Sequence, residues 1–495
     1  MLKKTIAYLT PSYRVLKNRS VFLLLFMVAF FMRFPFFFRD YIDRDESTFI
    51  LLGQSWAEGN LPYTQLWDLK PPVIFLFFAG SIYAFGKSFF AIRLLGTLAV
   101  TFSAFFTYKI GETTASKKVG VWSAIVCVIL QSSFGSLQGV MSEHICMLFF
   151  MPALYLLISK KQIQWYAVAG VLMGLSVMTK LNMAYAILLL GVFIVYEYVR
   201  KKEFWAGIQN ALVYGMGIIL VILLTMLPYH LQDNIELWLK SVLKAPLEYT
   251  GARRYSVFKL SPIFILLGGF FLLAWKKKYL DYKNIPVQIV LLAIIGVLIS
   301  YLQGGRINGH YLIQIHPIII ILIGIVVSKI SLFQKFDYRP YIFFLLLLLP
   351  MEAYIEYVAV VRNKIEKGRF YNGEGIDVPS YIKANNLETK DILFFEYHIG
   401  YWLLDRLPPT KAATHPSNIF REELFPFYEN PRKTGMEELR FIMENMRPKT
   451  IITRKDRLVF DKKLKEANDY IDAYLKQYYH IVKTIDRAEI HQRLE

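Results

Sequence analysis

The stretch VFLLLFMVAFFMRFPFFFRDYIDRDE, from Val21 to Glu46, runs through 18 residues broken by one charge, Arg33, and then turns abruptly acidic. An apolar run of this length can cross a bilayer, since a spanning helix needs roughly 20 apolar residues and fewer where neighbours shield its ends. Comparable runs, among them YIFFLLLLLP at 341–350, recur until about residue 360. The chain has 495 residues, 55% of them hydrophobic and 16% aromatic, well beyond the usage of a soluble globular domain. These features predict a polytopic α-helical membrane protein. The first run is read as a retained span, because it is too long for a signal peptide, lacks a small-residue cleavage site and is followed by further spans.

The formal charge of +19 does not indicate nucleic acid, because the basic residues punctuate the apolar runs instead of forming one patch. Cys127 and Cys146 both fall in apolar stretches, which predicts neither a disulfide nor redox or zinc chemistry. Spans are expected near 21–38, 89–110, 120–135, 143–158, 163–178, 183–199, 207–227, 260–275, 286–301, 312–330 and 341–360. Basic clusters before Val21, at Lys117-Lys118, Lys160-Lys161, Arg200-Lys201-Lys202 and Lys276-Lys277-Lys278, and between Lys329 and Arg339, are assigned to the cytoplasm. Eleven spans satisfy that pattern, with the N-terminus inside and the C-terminus outside. The short apolar segment VIFLFFAGSIYAFG (73–86) is then an interfacial or re-entrant helix. A count of 12 or 13, with a split hairpin elsewhere, stays open.

This orientation puts the loops 39–88 and 228–259, the turn at Ser142-Glu143-His144 and QGGRINGHYL on the outer face. Residues 1–360 form the expected membrane domain, and 361–495 a soluble extracytoplasmic domain. That tail is nearly balanced in charge and mixes strand-like runs (DILFFEY, KTIIT, YHIVKTI) with helix-like ones (GMEELRFIMENM, FDKKLKEANDYIDAYLKQ). An α/β or α+β arrangement is expected of it.

Six acidic residues lie between Asp40 and Phe75, and the adjacent pair Asp45-Glu46 is the sharpest feature. Such acids are ordinarily a solvated loop face. Beside a reacting hydroxyl they serve as general base and orienting acceptor. Asp40, Asp43 and Asp68 compete for these roles, although Asp40 and Asp43 read more readily as plain loop residues, and the choice of base among Asp43, Asp45 and Glu46 stays open. In DLKPP, Pro71 holds Lys70 extended and Pro72 suits the first turn of a helix. Lys70 is thus a rigid surface cation, suited to a lipid phosphate or simply snorkelling at the interface.

Glu143 opens an apolar segment as a second outer acid, favoured there by the helix dipole or placed for function. His144 alone is weak evidence for a metal. Lys180 is another cation at an outer turn, anchoring or contacting lipid phosphate. Arg306, His310 and Tyr311 stand together where a span begins, with the hydrogen-bonding chemistry of a phosphate site. His316-Pro317 lies deeper and reads as structural. The amphipathic 228–259 loop adds Lys240, Lys244, Arg253 and Arg254, as phosphate or headgroup contacts.

The order of these elements resembles the GT-C membrane glycosyltransferases, specifically the protein O-mannosyltransferase and aminoarabinose-transferase group of the family 39 and 83 type. The resemblance rests on DE, then PY and DLKPP, FGKSFFAIRLLG, GLSVMTK and finally HYLIQIHPIIIIL, across about residues 20–330. It implies transfer of a sugar from a polyprenyl-phosphate carrier to a lipid, glycan or protein acceptor on the outer face of the cytoplasmic (inner) membrane, with inversion at the anomeric carbon. By position it implies that Asp45 is the catalytic acidic residue, a general base, and Glu46 its companion. Lys70, Arg306, His310 and Tyr311 would face the donor phosphate, and Glu143 or Asp68 would be a second acid or acceptor contact. No obligatory cofactor is implied, and a divalent metal is not expected. One departure stands out, because related transferases tend to carry an acid immediately before the lysine, whereas Asp68 is two places away. A transporter or flippase of lipid-linked sugars, or a non-catalytic protein binding them, is the rival reading. A transporter would be expected to show internal repeats or paired broken helices, and neither is evident.

Overall fold

The computed structural model describes residues 16–252, 261–304, 308–331 and 350–494. Arg253, Arg254 and Arg306, and residues 341–349 of the span expected at 341–360, lie outside the described residues. The chain forms two compact units. One comprises Met1–Phe37, Arg93–Thr225 and Arg253–Glu356, and the other Phe38–Ile92, Met226–Ala252 and Tyr357–Glu495.

Among the described residues, six helices are long and apolar enough to cross a membrane: Asn18–Phe38, Phe89–Thr114, Ser142–Ser159, Leu181–Arg200, Phe204–His230 and Ile285–Gly304. Shorter apolar helices span Pro72–Phe85, Ile163–Val177, Ser261–Lys276 and His316–Lys329. The first unit has its core where Val21, Leu25, Ala29 and Met32, nearly one turn apart, meet Val100, Ala104, Tyr108, Val121, Ala124 and Val128. Leu23, Leu24, Met27 and Phe31 of the same helix face outward and are exposed. A helix apolar on its outer side as well belongs in lipid. Close helix contacts rest on glycine, as in membrane bundles generally. A Cβ at Gly170 would stand 2.1 Å from the Tyr214 carbonyl oxygen, and one at Gly296 2.2 Å from the Ala186 Cα.

Two expected spans differ in extent. The helix expected over 120–135 runs from Lys117 to Leu130 and stops at polar Gln131. Buried Arg33 donates to the carbonyl oxygens of Gln131, Leu137 and Gly139 at 3.2, 2.6 and 2.6 Å. The turn after that helix is therefore closed by a cation from another element, and the helix need not continue. The span expected at 312–330 begins at His316, because Pro317 sits at its first turn and Gly309–Gln314 forms a 3-10 turn before it.

Within 39–88 the short helix expected at 73–86 is present as Pro72–Phe85, and the stretch before it, expected as outer loop, holds a further helix, Arg44–Ala57. The first starts where the Asp43 carboxylate accepts the Asp45 N–H at 2.8 Å, a side-chain cap that a composition-based reading overlooks. Gly53 lets the two helices approach, for a Cβ there would meet the Phe78 Cβ at 2.5 Å. Asp40 is no plain loop residue either. It is buried, and its carboxylate accepts the Gly375 N–H. The 228–259 segment, after a turn at 231–234, is helical as far as it is described, through Ile235–Trp238, a π-helical stretch at Leu239–Lys244 and Ala245–Ala252.

The C-terminal part of this unit carries a four-stranded sheet of β1 (Leu393–Phe394), β2 (Thr450–Arg454), β3 (Tyr479–Ile485) and β4 (Ala488–Arg493), in the order β1-β2-β4-β3. The β1–β2 pair is parallel and the other two pairs are antiparallel, with Ile452 opposite Ile490. The three strand-like runs are strands. The fourth, AEIHQR, went unread because it alternates weakly, and it follows a tight turn with Asp486 at φ 51°. Helices Gly435–Arg440 and Lys465–Tyr478 fall within the helix-like runs.

Replacing Gly170 by Val should force the contact at Tyr214 apart and cost roughly 1–3 kcal/mol. Thermal unfolding of the purified protein in detergent should show a lowered midpoint. An unchanged midpoint would show that the helices do not pack this closely.

Candidate functional site

Two clusters of charged side chains emerge, one in each unit. In the second unit, Asp45 and Glu46 occupy the first turn of the Arg44–Ala57 helix, where the helix dipole favours acids. Glu46 is buried. Lys70 Nζ lies 3.4 Å from Asp45 Oδ2, and the two side chains remain 22% and 23% exposed. The pair is thus a half-open ion pair and not a sealed core bridge.

Lys70 is fixed from several sides. Pro71 is extended and Pro72 begins the next helix. The Tyr63 hydroxyl donates to the Lys70 carbonyl at 2.5 Å. Tyr63 itself adopts φ 72°, a conformation uncommon outside glycine and found at positions the surroundings hold rigid. The ammonium group also lies 5.6 Å from the Phe49 ring centroid.

A third group completes this cluster. His415 Nε2 stands 3.5 Å from Asp45 Oδ1. Nearby, buried His398 places Nε2 3.0 Å from the Thr48 hydroxyl, and its ring centroid is 5.9 Å from that of His415. Burial, then the proximity of His415 and of Arg44, holds the proton affinity of His398 well below the ordinary histidine value. Arg44 pairs with the Glu396 carboxylate, and Arg457 reaches the same oxygen at 3.7 Å. Asp68 is buried, and its Oδ2 has no hydrogen-bond partner among the described residues.

In the first unit, Glu143 is fully buried and forms an ion pair with Lys180. The Ser142 hydroxyl donates to Glu143 Oε2 at 3.1 Å, and His310 Nε2 lies 3.8 Å from Oε1. Lys180 sits 4.3 Å from the Tyr311 ring centroid, and the Tyr301 hydroxyl donates to the Tyr311 carbonyl at 2.5 Å. Lys180 is therefore held by Glu143 and Tyr311. His144 has a local duty: its Nδ1 accepts the Met141 N–H at 3.2 Å, capping the helix, and its Nε2 stands 3.0 Å from the Gln131 carbonyl.

Of the residues singled out in the sequence, the structure thus brings Asp45 to Lys70 and, separately, Glu143 to Lys180, His310 and Tyr311. Sequence reasoning missed His415, His398 and Thr48. For His415 the available signal was THPSN, whose His-Pro-Ser order is that of a short capped turn. Among the described residues, no group of three or more His, Cys, Asp or Glu side chains is arranged to hold a metal ion.

The sequence model of the dolichyl-phosphate-mannose-protein mannosyltransferase family matches residues 69–229. Comparison with curated proteins gives no match. Among solved structures, ArnT from Cupriavidus metallidurans bound to undecaprenyl phosphate is 14% identical, with a TM-score of 0.58 over 96% of this chain and 97% of that one. Its apo form gives 12% identity and a TM-score of 0.60 over the same shares. The resemblance to GT-C membrane glycosyltransferases is borne out in the fold.

Removing Lys180 alone, as Lys180→Met, takes its lysine partner from the buried Glu143 carboxylate and should cost roughly 3–5 kcal/mol. The double variant Glu143→Gln with Lys180→Met should recover much of that loss in denaturation measurements. Equal stability of single variant and wild type would contradict a buried pair. His398 is held neutral in the fold and protonates readily once unfolded. Stability should therefore fall as pH drops below about 6.5. His491, lowered by burial to about 4, adds a loss of the same sign between those values. The unfolding midpoint followed from pH 7 to pH 5 should decline more gently in His398→Asn.

Proposed function

We propose that the protein is a glycosyltransferase that moves a sugar from a polyprenyl-phosphate carrier to a hydroxyl acceptor on a lipid, glycan or protein. The observation that carries this reading is the half-open Asp45–Lys70 pair at a helix N-terminus, on a fold shared with a protein crystallised with undecaprenyl phosphate. A sugar phosphodiester already holds a good leaving group. The remaining chemistry is to deprotonate the acceptor and to stabilise the charge left on phosphate.

In the proposed reaction the acceptor oxygen attacks the anomeric carbon as the bond from that carbon to the phosphate oxygen breaks. The acceptor's proton passes to Asp45, and the departing polyprenyl phosphate keeps the bonding electrons. Lys70 meets the growing phosphate charge in a partly desolvated site, where such contacts count for most. Attack opposite the leaving group inverts the anomeric centre. Glu46 supports Asp45 from the same helical turn. Arg306, His310 and Tyr311 are assigned to the donor phosphate and Asp68 to an acceptor contact, while Glu143, fully buried against Lys180, is assigned to holding that lysine. Arg253 and Arg254 are assigned as secondary phosphate or lipid contacts. A cationic side chain can do the work otherwise done by a metal ion, so the reading includes no obligatory metal. In the proposed topology eleven spans lie within residues 1–360. It puts the outer loops and residues 361–495 on the extracytoplasmic side of the cytoplasmic membrane.

Asp45→Asn should lower transfer from a labelled polyprenyl-phosphate sugar by about 100- to 10,000-fold in membranes holding normal amounts of protein. Surviving transfer would remove Asp45 as the base. Movement of the intact donor across the bilayer without transfer would favour a transporter instead. Excess chelator should leave the rate unchanged, and a complete loss restored by magnesium or manganese would contradict metal independence.

A further inference from the structure

His415 belongs to the C-terminal segment, yet it stands against the carboxylate at the start of the Arg44–Ala57 helix. The local backbone explains its orientation. Ala412–Thr414 forms a 3-10 turn, and the Thr414 hydroxyl lies 3.4 Å from the Trp67 N–H that donates to it. His415 is extended at φ −122° and ψ 118°, as a residue preceding proline must be, and Pro416 opens a second 3-10 turn. Its side chain caps that turn, because Nδ1 accepts the Ser417 N–H at 3.2 Å and lies 2.7 Å from the Ser417 hydroxyl.

This cap fixes the tautomer. The backbone N–H of Ser417 needs the Nδ1 lone pair, so the neutral ring carries its proton on Nε2. That nitrogen is the one 3.5 Å from Asp45 Oδ1, while Lys70 lies 3.4 Å from Oδ2. A cap alone would not call for histidine, since Asn, Asp and Ser are the preferred residues there. What histidine adds is a second nitrogen, and here it is turned toward Asp45.

We infer that His415 is a positioning residue, donated by the C-terminal segment, whose Nε2–H orients the Asp45 carboxylate for proton abstraction. This rests on the reading of Asp45 as the base. At 3.5 Å the contact is at the edge of hydrogen-bond reach, and contacts of this kind tighten when substrate fills the site. Because its Nε2 already carries the proton, His415 does not receive the acceptor's proton. It holds one carboxylate oxygen, leaving lone pairs of the carboxylate for the hydroxyl. The charged and titratable neighbours of the pair are Lys70 on the segment before Pro71, Asp43, Arg44 and Glu46 around the helix start, and His398 beside the imidazole.

The test uses the full chain in lipid nanodiscs with a polyprenyl-phosphate sugar. His415→Asn keeps a capping side chain but removes the reach to Asp45. It should keep the wild-type unfolding midpoint, lose roughly 10- to 100-fold in kcat and leave the donor KM unchanged. The acid limb of its pH–rate profile should move to higher pH, because a donor to the carboxylate has gone. Wild-type kcat and an unmoved limb in His415→Asn would reduce His415 to a cap and overturn the inference. If wild-type protein itself transfers nothing, the reading of Asp45 falls. An independent arm needs no turnover: in 15N-histidine-labelled protein, the His415 resonances should report Nε2 protonated and should shift in Asp45→Asn. A ring protonated on Nδ1, or resonances indifferent to Asp45, would overturn the inference whether or not transfer is seen.

Discussion

The contact between Lys70 and Asp45 is the constraint around which the second unit is arranged. An ion pair in which each partner is about a fifth exposed contributes little stability by itself. Its geometry is nevertheless held on both sides. Asp43 caps the helix that starts at Arg44 and so fixes the backbone of Asp45. Two prolines, the Tyr63 hydroxyl and the face of Phe49 restrict Lys70. The fold thus spends local strain and rigid residues on a pair of modest stabilising value. That pattern supports the proposed role of the pair.

The Glu143–Lys180 pair shows the opposite balance. It is sealed from solvent, shares its carboxylate with Ser142, and is capped on one side by the Tyr311 ring. Such a pair must remain satisfied for the first unit to stay folded, since either partner alone would be a buried charge. Arg33 plays a comparable structural part with carbonyl groups in place of a carboxylate. Buried charge in this chain is therefore not a single signal, and exposure and partner chemistry separate its uses.

Much of this was legible in the sequence, for identifiable reasons. Spanning helices announce themselves by apolar length, so the run from Val21 and those near Ile285 and Phe204 needed no tertiary information. Asp45 and Lys70 stood out because adjacent acids and a Lys-Pro-Pro step are unusual beside apolar runs. Other features depend on contacts between distant residues. The early stop at Leu130 is enabled by Arg33, 98 residues before its Gln131 contact. The burial of Asp40 follows from Gly375, and the approach of His415 to Asp45 spans 370 positions. β4 was hidden by its weak alternation, and the Arg44–Ala57 helix by acids that look like loop until Asp43 is recognised as a cap.

The central claim is that this chain cleaves a sugar from a polyprenyl phosphodiester. The most direct measurement is 31P NMR of purified protein in nanodiscs supplied with polyprenyl-phosphate sugar and a lipid acceptor mixture. The account predicts that the phosphodiester signal gives way to a phosphomonoester signal as acceptor is glycosylated. A phosphodiester signal that persists unchanged beside active control enzyme would contradict it.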